Sequence, residues 1–106
     1  MLIAWTTVGT SADADRLAVD AVAAGLAVCV QVDGPIVSHF RWEEKPERVE
    51  EFRLCFKVMP AHLSALRDLV LNAHPYDAPE WLAVRAEDVG EKYLSWAKAT
   101  VHSPTL

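Results

Sequence analysis

From Glu51 to Val58 the chain alternates strictly: Phe52, Leu54, Phe56 and Val58 fall on one side of an extended strand, and Glu51, Arg53, Cys55 and Lys57 on the other. Such a strand rests on a core with one face and leaves the other free. Upstream, "LIAWTTV" at residues 2–8 is apolar and β-prone. The segment after it places Ala14, Leu17, Ala18, Ala21 and Val22 at helical spacing, with Thr10 or Ser11 as N-cap and acids in the first turn. Gly25 stands where a glycine closes a helix. "LAVCVQV" at 26–32 then alternates, Val28, Val30 and Val32 opposite Cys29 and Gln31. "DGP" at 33–35 predicts a turn or a bulge, "IVSHFRW" continues extended, and the charged run "EEKPER" reverses the chain into the arm "VEEFRLCFKVM". Pro60 suits the first turn of a second helix carrying Leu63, Leu66, Val70 and Ala73 on its apolar stripe. "EWLAVRA" predicts a last strand and "GEKYLSWAKAT" a terminal helix with Tyr93, Leu94, Trp96 and Ala97 available to pack, leaving "HSPTL" as a frayed tail.

The order βαββαβ with a terminal helix predicts an α+β fold: a ferredoxin-like sandwich of an antiparallel sheet with both helices on one face. Residues 1–106 are read as a single domain. The face without helices would carry Cys29, Gln31, Val37, Cys55 and Trp5 or Trp42. An apolar face and a long hairpin left uncovered are a liability in a monomer, so copies of the chain are expected to pack sheet to sheet or edge to edge.

Composition narrows the function. With 52% hydrophobic and 24% charged residues the chain can fold around a core. Fifteen acids against ten bases give a net charge of −5 with no basic cluster, which repels polyanions, so nucleic acid is not an expected partner. The longest uncharged stretch has about half the length a bilayer span needs. No leader pattern opens the sequence, so the expected location is cytoplasmic. Two cysteines without a C-x-x-C spacing read as reduced thiols. There is no P-loop, no G-x-G-x-x-G and no nucleophile elbow, so neither an organic cofactor nor an enzymatic reaction is expected.

The candidate chemistry gathers at "HPYDAPEW". Pro75 and Pro79 fix their own φ and push His74 and Ala78 out of helical geometry. A connection this stiff, displaying His74, Tyr76, Asp77 and Glu80, suggests a positioned group. Lys57, in a strand expected to be central, calls for a carboxylate such as Glu80 or Glu51, or a bound anion. The reading that unites them sets His74, Tyr76 and Glu80 at the mouth of an inter-subunit cleft near Lys57 and Gln31. Metal ligands are scattered singly: Cys29, Cys55, His39, His62, His74 and His102 form no close pair, so a complete site within one chain is not expected. Trp42, Trp81 and Trp96 read as packing anchors at core or interface.

"LAVCVQV", "SHFRWEEK", "FKV", "HPYDAPEW" and "YLSWA" occur in the order and spacing of the CutA family, the divalent-cation tolerance proteins, and the chain resembles that family over residues 2 to 97. The most specific match is His74-Pro75-Tyr76 followed by Pro79-Glu80, supported by Ser38, Trp42 and Lys57. The resemblance implies a homotrimer similar to the PII signalling proteins and a non-enzymatic role in tolerance of copper or another divalent cation. It also implies a cleft for a small ligand or metal ion at Gln31, Trp42, Lys57, His74, Tyr76 and Glu80, with His74 and Cys29 as metal candidates. Alternatives are a structural assembly module or PII-like regulator without a metal site, and an uncharacterised enzyme using the cleft. The chain departs from the pattern at several places: Trp5 stands where some members have a cysteine, Ala73 precedes His74 where some have two histidines, and Glu44, Gln31 and Val58 replace a usual glycine, asparagine and threonine. Of three proposed copper ligands, one is present.

Overall fold

The computed structural model describes residues 1–101; His102 and the tail expected to fray lie outside the described residues. The elements are β1 (Leu2–Val8), α1 (Ser11–Ala23), β2 (Cys29–Trp42), β3 (Lys45–Val58), α2 (Leu63–Ala73), β4 (Leu82–Arg85) and α3 (Glu91–Thr100). The strands lie in the order β2-β3-β1-β4, each neighbouring pair antiparallel. This is the ferredoxin-like arrangement with a third helix added.

Local chemistry sets the element ends. Thr10 is the N-cap of α1, its Oγ1 accepting from the Asp13 N–H at 3.1 Å. Gly25, at φ +72°, closes the helix: its N–H returns to the Val22 carbonyl, while those of Leu26 and Ala27 both return to Ala21. Because Leu26 and Ala27 spend their donors there, β2 begins at Cys29 and not at Leu26. Val22, placed on the apolar stripe by its spacing, is exposed; the face that packs is Ala14, Leu17 and Ala21, about 100° away. Likewise β4 is shorter than "EWLAVRA", and Trp81 instead packs against the core, its ring centroid 6.0 Å from that of Phe56.

The alternation in β3 holds. Leu54, Phe56 and Val58 are fully buried with Ala4 and Val8 of β1 under Leu17 of α1 and Leu66 and Val70 of α2. Each large side chain buried this way contributes about 1.5–3 kcal/mol. The register puts Ile3, Trp5, Cys29, Gln31, Cys55 and Lys57 together on the opposite face. α3 meets one end of it, where Ala97 and Val101 pack with Val28, Met1, Cys29 and Met59. Lys57 lies on this face, and its ammonium donates to the Gln31 side-chain carbonyl. It needs no buried carboxylate because its face lacks the two core helices; the expected pairing with Glu80 or Glu51 is not formed. β4 leaves Leu82 and Val84 56% and 48% exposed along an open sheet edge.

β2 and β3 form a hairpin of two 14-residue strands. The reversal is narrower than the charged run: only Glu43 and Glu44 turn, at φ 50° and 67°, and Lys45 already pairs with Trp42. Two positive φ values mark the mirror-image turn that ordinarily takes Asn-Gly. "DGP" is a bulge, in which the ladder slips between Asp33 and Ile36. A side chain on Gly34, at φ +151°, would meet Phe52 Cδ2 at 2.6 Å and the Glu51 carbonyl at 3.0 Å. The slip overturns one expectation: Val37 pairs with Glu50 and turns away from the face holding Cys29 and Gln31, whereas Trp42 stays on it.

A left-handed non-glycine residue costs about 1 kcal/mol. Glu44→Gly should therefore raise the unfolding free energy by about that amount, read as a higher urea midpoint at unchanged m-value.

Candidate functional site

α2 stops at His74 because Pro75 holds it extended, at φ −72° and ψ 136°, as the sequence predicts. The histidine ring then folds back onto β1. Its Nδ1 accepts from the Tyr76 backbone N–H at 3.1 Å, so the proton sits on Nε2, which donates to the Thr7 carbonyl at 2.9 Å and lies 3.1 Å from Thr6 Oγ1. Thr6, fully buried, donates its hydroxyl proton to the Glu80 carbonyl at 2.7 Å. His74 and Thr6 thus fasten the two halves of the turn to β1, and each ring nitrogen is engaged. Arg16 adds a bond from α1 to the Ala73 carbonyl at 3.3 Å.

The turn delivers Tyr76 to the end of β1. Its ring stands 5.0 Å from the His74 ring, its hydroxyl sits against Gly9, and it donates to Glu51 Oε2 at 2.8 Å. Burial first, and then the bond to Glu51, push the phenol up to about 12, so it remains a donor at physiological pH. Burial lowers the His74 pKa, opposed by its bond to Thr7. The ring is held neutral.

Between this turn and the hairpin lies a groove of about 720 Å³. Tyr76, Asp77 and Glu80 form one wall; Phe40, Trp42 and Val49 form the other, with Glu47 at the rim and Glu51 beneath. The bulge makes this possible. Without the slip at Gly34 the hairpin would turn Val37, His39 and Arg41 toward Glu51; with it, Ser38, Phe40 and Trp42 share the face of Glu51, Val49 and Glu47.

Of the residues singled out from the sequence, the chain brings together Trp42, His74, Tyr76 and Glu80. Gln31 and Lys57 stand elsewhere: Lys57 pairs with Ile3, whereas the turn is tied to Thr6 and Thr7, about 13 Å farther along β1. Within one chain the two groups therefore stand apart, whereas the cleft expected from the sequence lies between subunits. Cys29 lies with Lys57, on the face that Tyr93 of α3 meets. From the sequence Thr6 has no assigned role, and Glu51 only that of a partner for Lys57. A signal for Thr6 was available: it is the polar residue at a core position between Ala4 and Val8. Burial of Glu51 depends on Tyr76, 25 residues away, and left no local trace.

The fold and this site define a small α+β protein with a rigid His-Pro-Tyr turn closing an acidic groove. Comparison with known proteins places it. The family model "CutA1 divalent ion tolerance protein" matches residues 2–100, and the chain belongs to that family. It is similar to the divalent-cation tolerance protein CutA of Yersinia pestis, 33% identical over 100 residues that cover 94% of this chain and 84% of the relative. The crystal structure of CutA1 from Oryza sativa superposes with a TM-score of 0.91 at 32% identity, covering 95% of this chain and 93% of that one. The periplasmic divalent cation tolerance protein CutA of Archaeoglobus fulgidus gives 0.91 at 31% identity, over 96% and 100%.

Two outcomes follow from the turn. Tyr76→Phe strips a buried carboxylate of its donor and should lower the unfolding free energy by about 1–3 kcal/mol in urea titration. Because the folded pKa of His74 lies below its ordinary 6.5, the unfolded chain binds more protons just below that pH. The stability it contributes is present above 6.5 and is lost as pH falls through the folded value. Thermal midpoints measured from pH 7 downward should fall more steeply in the parent protein than in His74→Gln.

Proposed function

We propose that the chain serves in divalent-cation tolerance as a homotrimer of one-domain subunits, without catalysing a reaction, in a PII-like assembly within the cytoplasm. The observation that carries this reading is the sheet face left without the two core helices, with its open edge, where Trp5, Leu82 and Val84 lie beside the row holding Cys29 and Cys55. An apolar surface of this kind on a small domain is covered by association. Packing the faces together buries these side chains. In this reading Cu²⁺ or another divalent cation binds weakly between copies, with thiolate supplied by Cys29. Gln31 and Lys57 flank it. His74 contributes by holding the turn, since ligation would require it to release the Tyr76 N–H or the Thr7 carbonyl. The groove under Trp42, Tyr76 and Glu80 is the cleft for a small ligand. No helix among the described residues is long and apolar enough to cross a membrane.

Light scattering under reducing conditions should give a particle of three times the 11.7 kDa chain, with and without Cu²⁺. Calorimetric titration with Cu²⁺ should show heat that Cys29→Ser reduces at least several-fold. A monomer overturns the assembly, and an unchanged titration in Cys29→Ser overturns the metal role.

A further inference from the structure

Glu51 is only 6% exposed. Its Oε2 accepts from Tyr76, but among the described residues no side chain donates to Oε1 and none of the salt bridges includes it. Oε1 is not sealed from water, since among the described residues the one buried side-chain atom without a partner is His62 Nδ1; it is open to pairing with an opposite charge or a further donor. The side of Glu51 without a protein partner is the groove, which it lines.

The groove supplies the rest of the description. Its lining holds no lysine or arginine and one histidine, His39, while Glu47, Asp77 and Glu80 join Glu51, so the four carboxylates favour a cation. Its walls at Phe40, Trp42 and Val49 are apolar, and aromatic faces attract cations directly. Its volume of about 720 Å³ falls in the range of small-molecule sites, roughly 300–1,000 Å³. A bare metal ion instead requires several ligands converging at about 2.0–2.6 Å, and among the described residues no three His, Cys, Asp or Glu side chains are grouped to do so. The space suits a body with apolar surface and one charged end.

Resting on the reading of this groove as the ligand cleft, we infer that it binds a small organic cation: an ammonium or guanidinium group paired with Glu51, on an apolar body laid against Trp42 and Phe40. The neutral equivalent of such a ligand loses the charge pairing and keeps only the wall contacts, so charge selectivity is the signature.

The test is calorimetric titration of the assembled protein with benzylamine, benzyl alcohol and benzoate at neutral pH. Benzylamine should bind saturably, benzyl alcohol at least tenfold more weakly, and benzoate not at all. Glu51→Gln should weaken benzylamine about ten- to hundredfold and leave benzyl alcohol unchanged. Trp42→Ala, a change at a side chain 51% exposed on the hairpin, should weaken both and reports on the groove even where Glu51→Gln fails to fold. Benzyl alcohol binding as tightly as benzylamine, or benzylamine unaffected by a folded Glu51→Gln, overturns the inference and leaves the groove a ligand cleft. Failure of all three probes to bind overturns the cleft reading itself.

Discussion

β3 is hydrogen-bonded along both edges, to β2 and to β1, and its two faces meet different surroundings. Leu54, Phe56 and Val58 hold the two core helices, while Cys55 and Lys57 look out on a surface that α3 covers at one end only. A sheet covered on one side builds its core there and leaves its other side open. Core, open face and groove all follow from that asymmetry, because Glu51, at the floor of the groove, belongs to the same outward row as Cys55 and Lys57.

The His74 turn joins the sheet to the groove. A histidine at the end of a helix reads as a candidate ligand because its imidazole is free to bind in many proteins. Here the ring is used as a double-ended tie, accepting from Tyr76 and donating to Thr7, and Thr6 repeats the tie from the strand side by holding the Glu80 carbonyl. What the turn presents is therefore the phenol of Tyr76 and the carboxylates beyond it. The stiffness that the prolines announce is real, and its product is a wall.

Much of this was legible in order along the chain. The alternation through β3, the Thr10 cap, Gly25 and Pro60 are local signals with local causes, and they carried the element order and the ferredoxin-like topology. The misreadings come from residues whose surroundings are set at a distance. Lys57 looks buried in a central strand until one knows which face the helices take. Glu51 looks exposed beside Arg53 until Tyr76 closes over it. Val37 and Trp42 change sides relative to a continuous alternation because Gly34 and Pro35 add one residue to the ladder, and the sequence "DGP" allows a turn as readily as a bulge.

The slip at Gly34 reconciles two alternations that the sequence keeps out of phase. One row of the outer hairpin offers Ser38, Phe40 and Trp42; the other offers Val37, His39 and Arg41. A single-residue deletion at the bulge would straighten the ladder while Ser38, Phe40 and Trp42 kept their partners on β3 and their place over Glu51. Chain length at Gly34 can therefore drift without rewriting the lining, whose identity is held instead by the two-residue reversal at the hairpin tip.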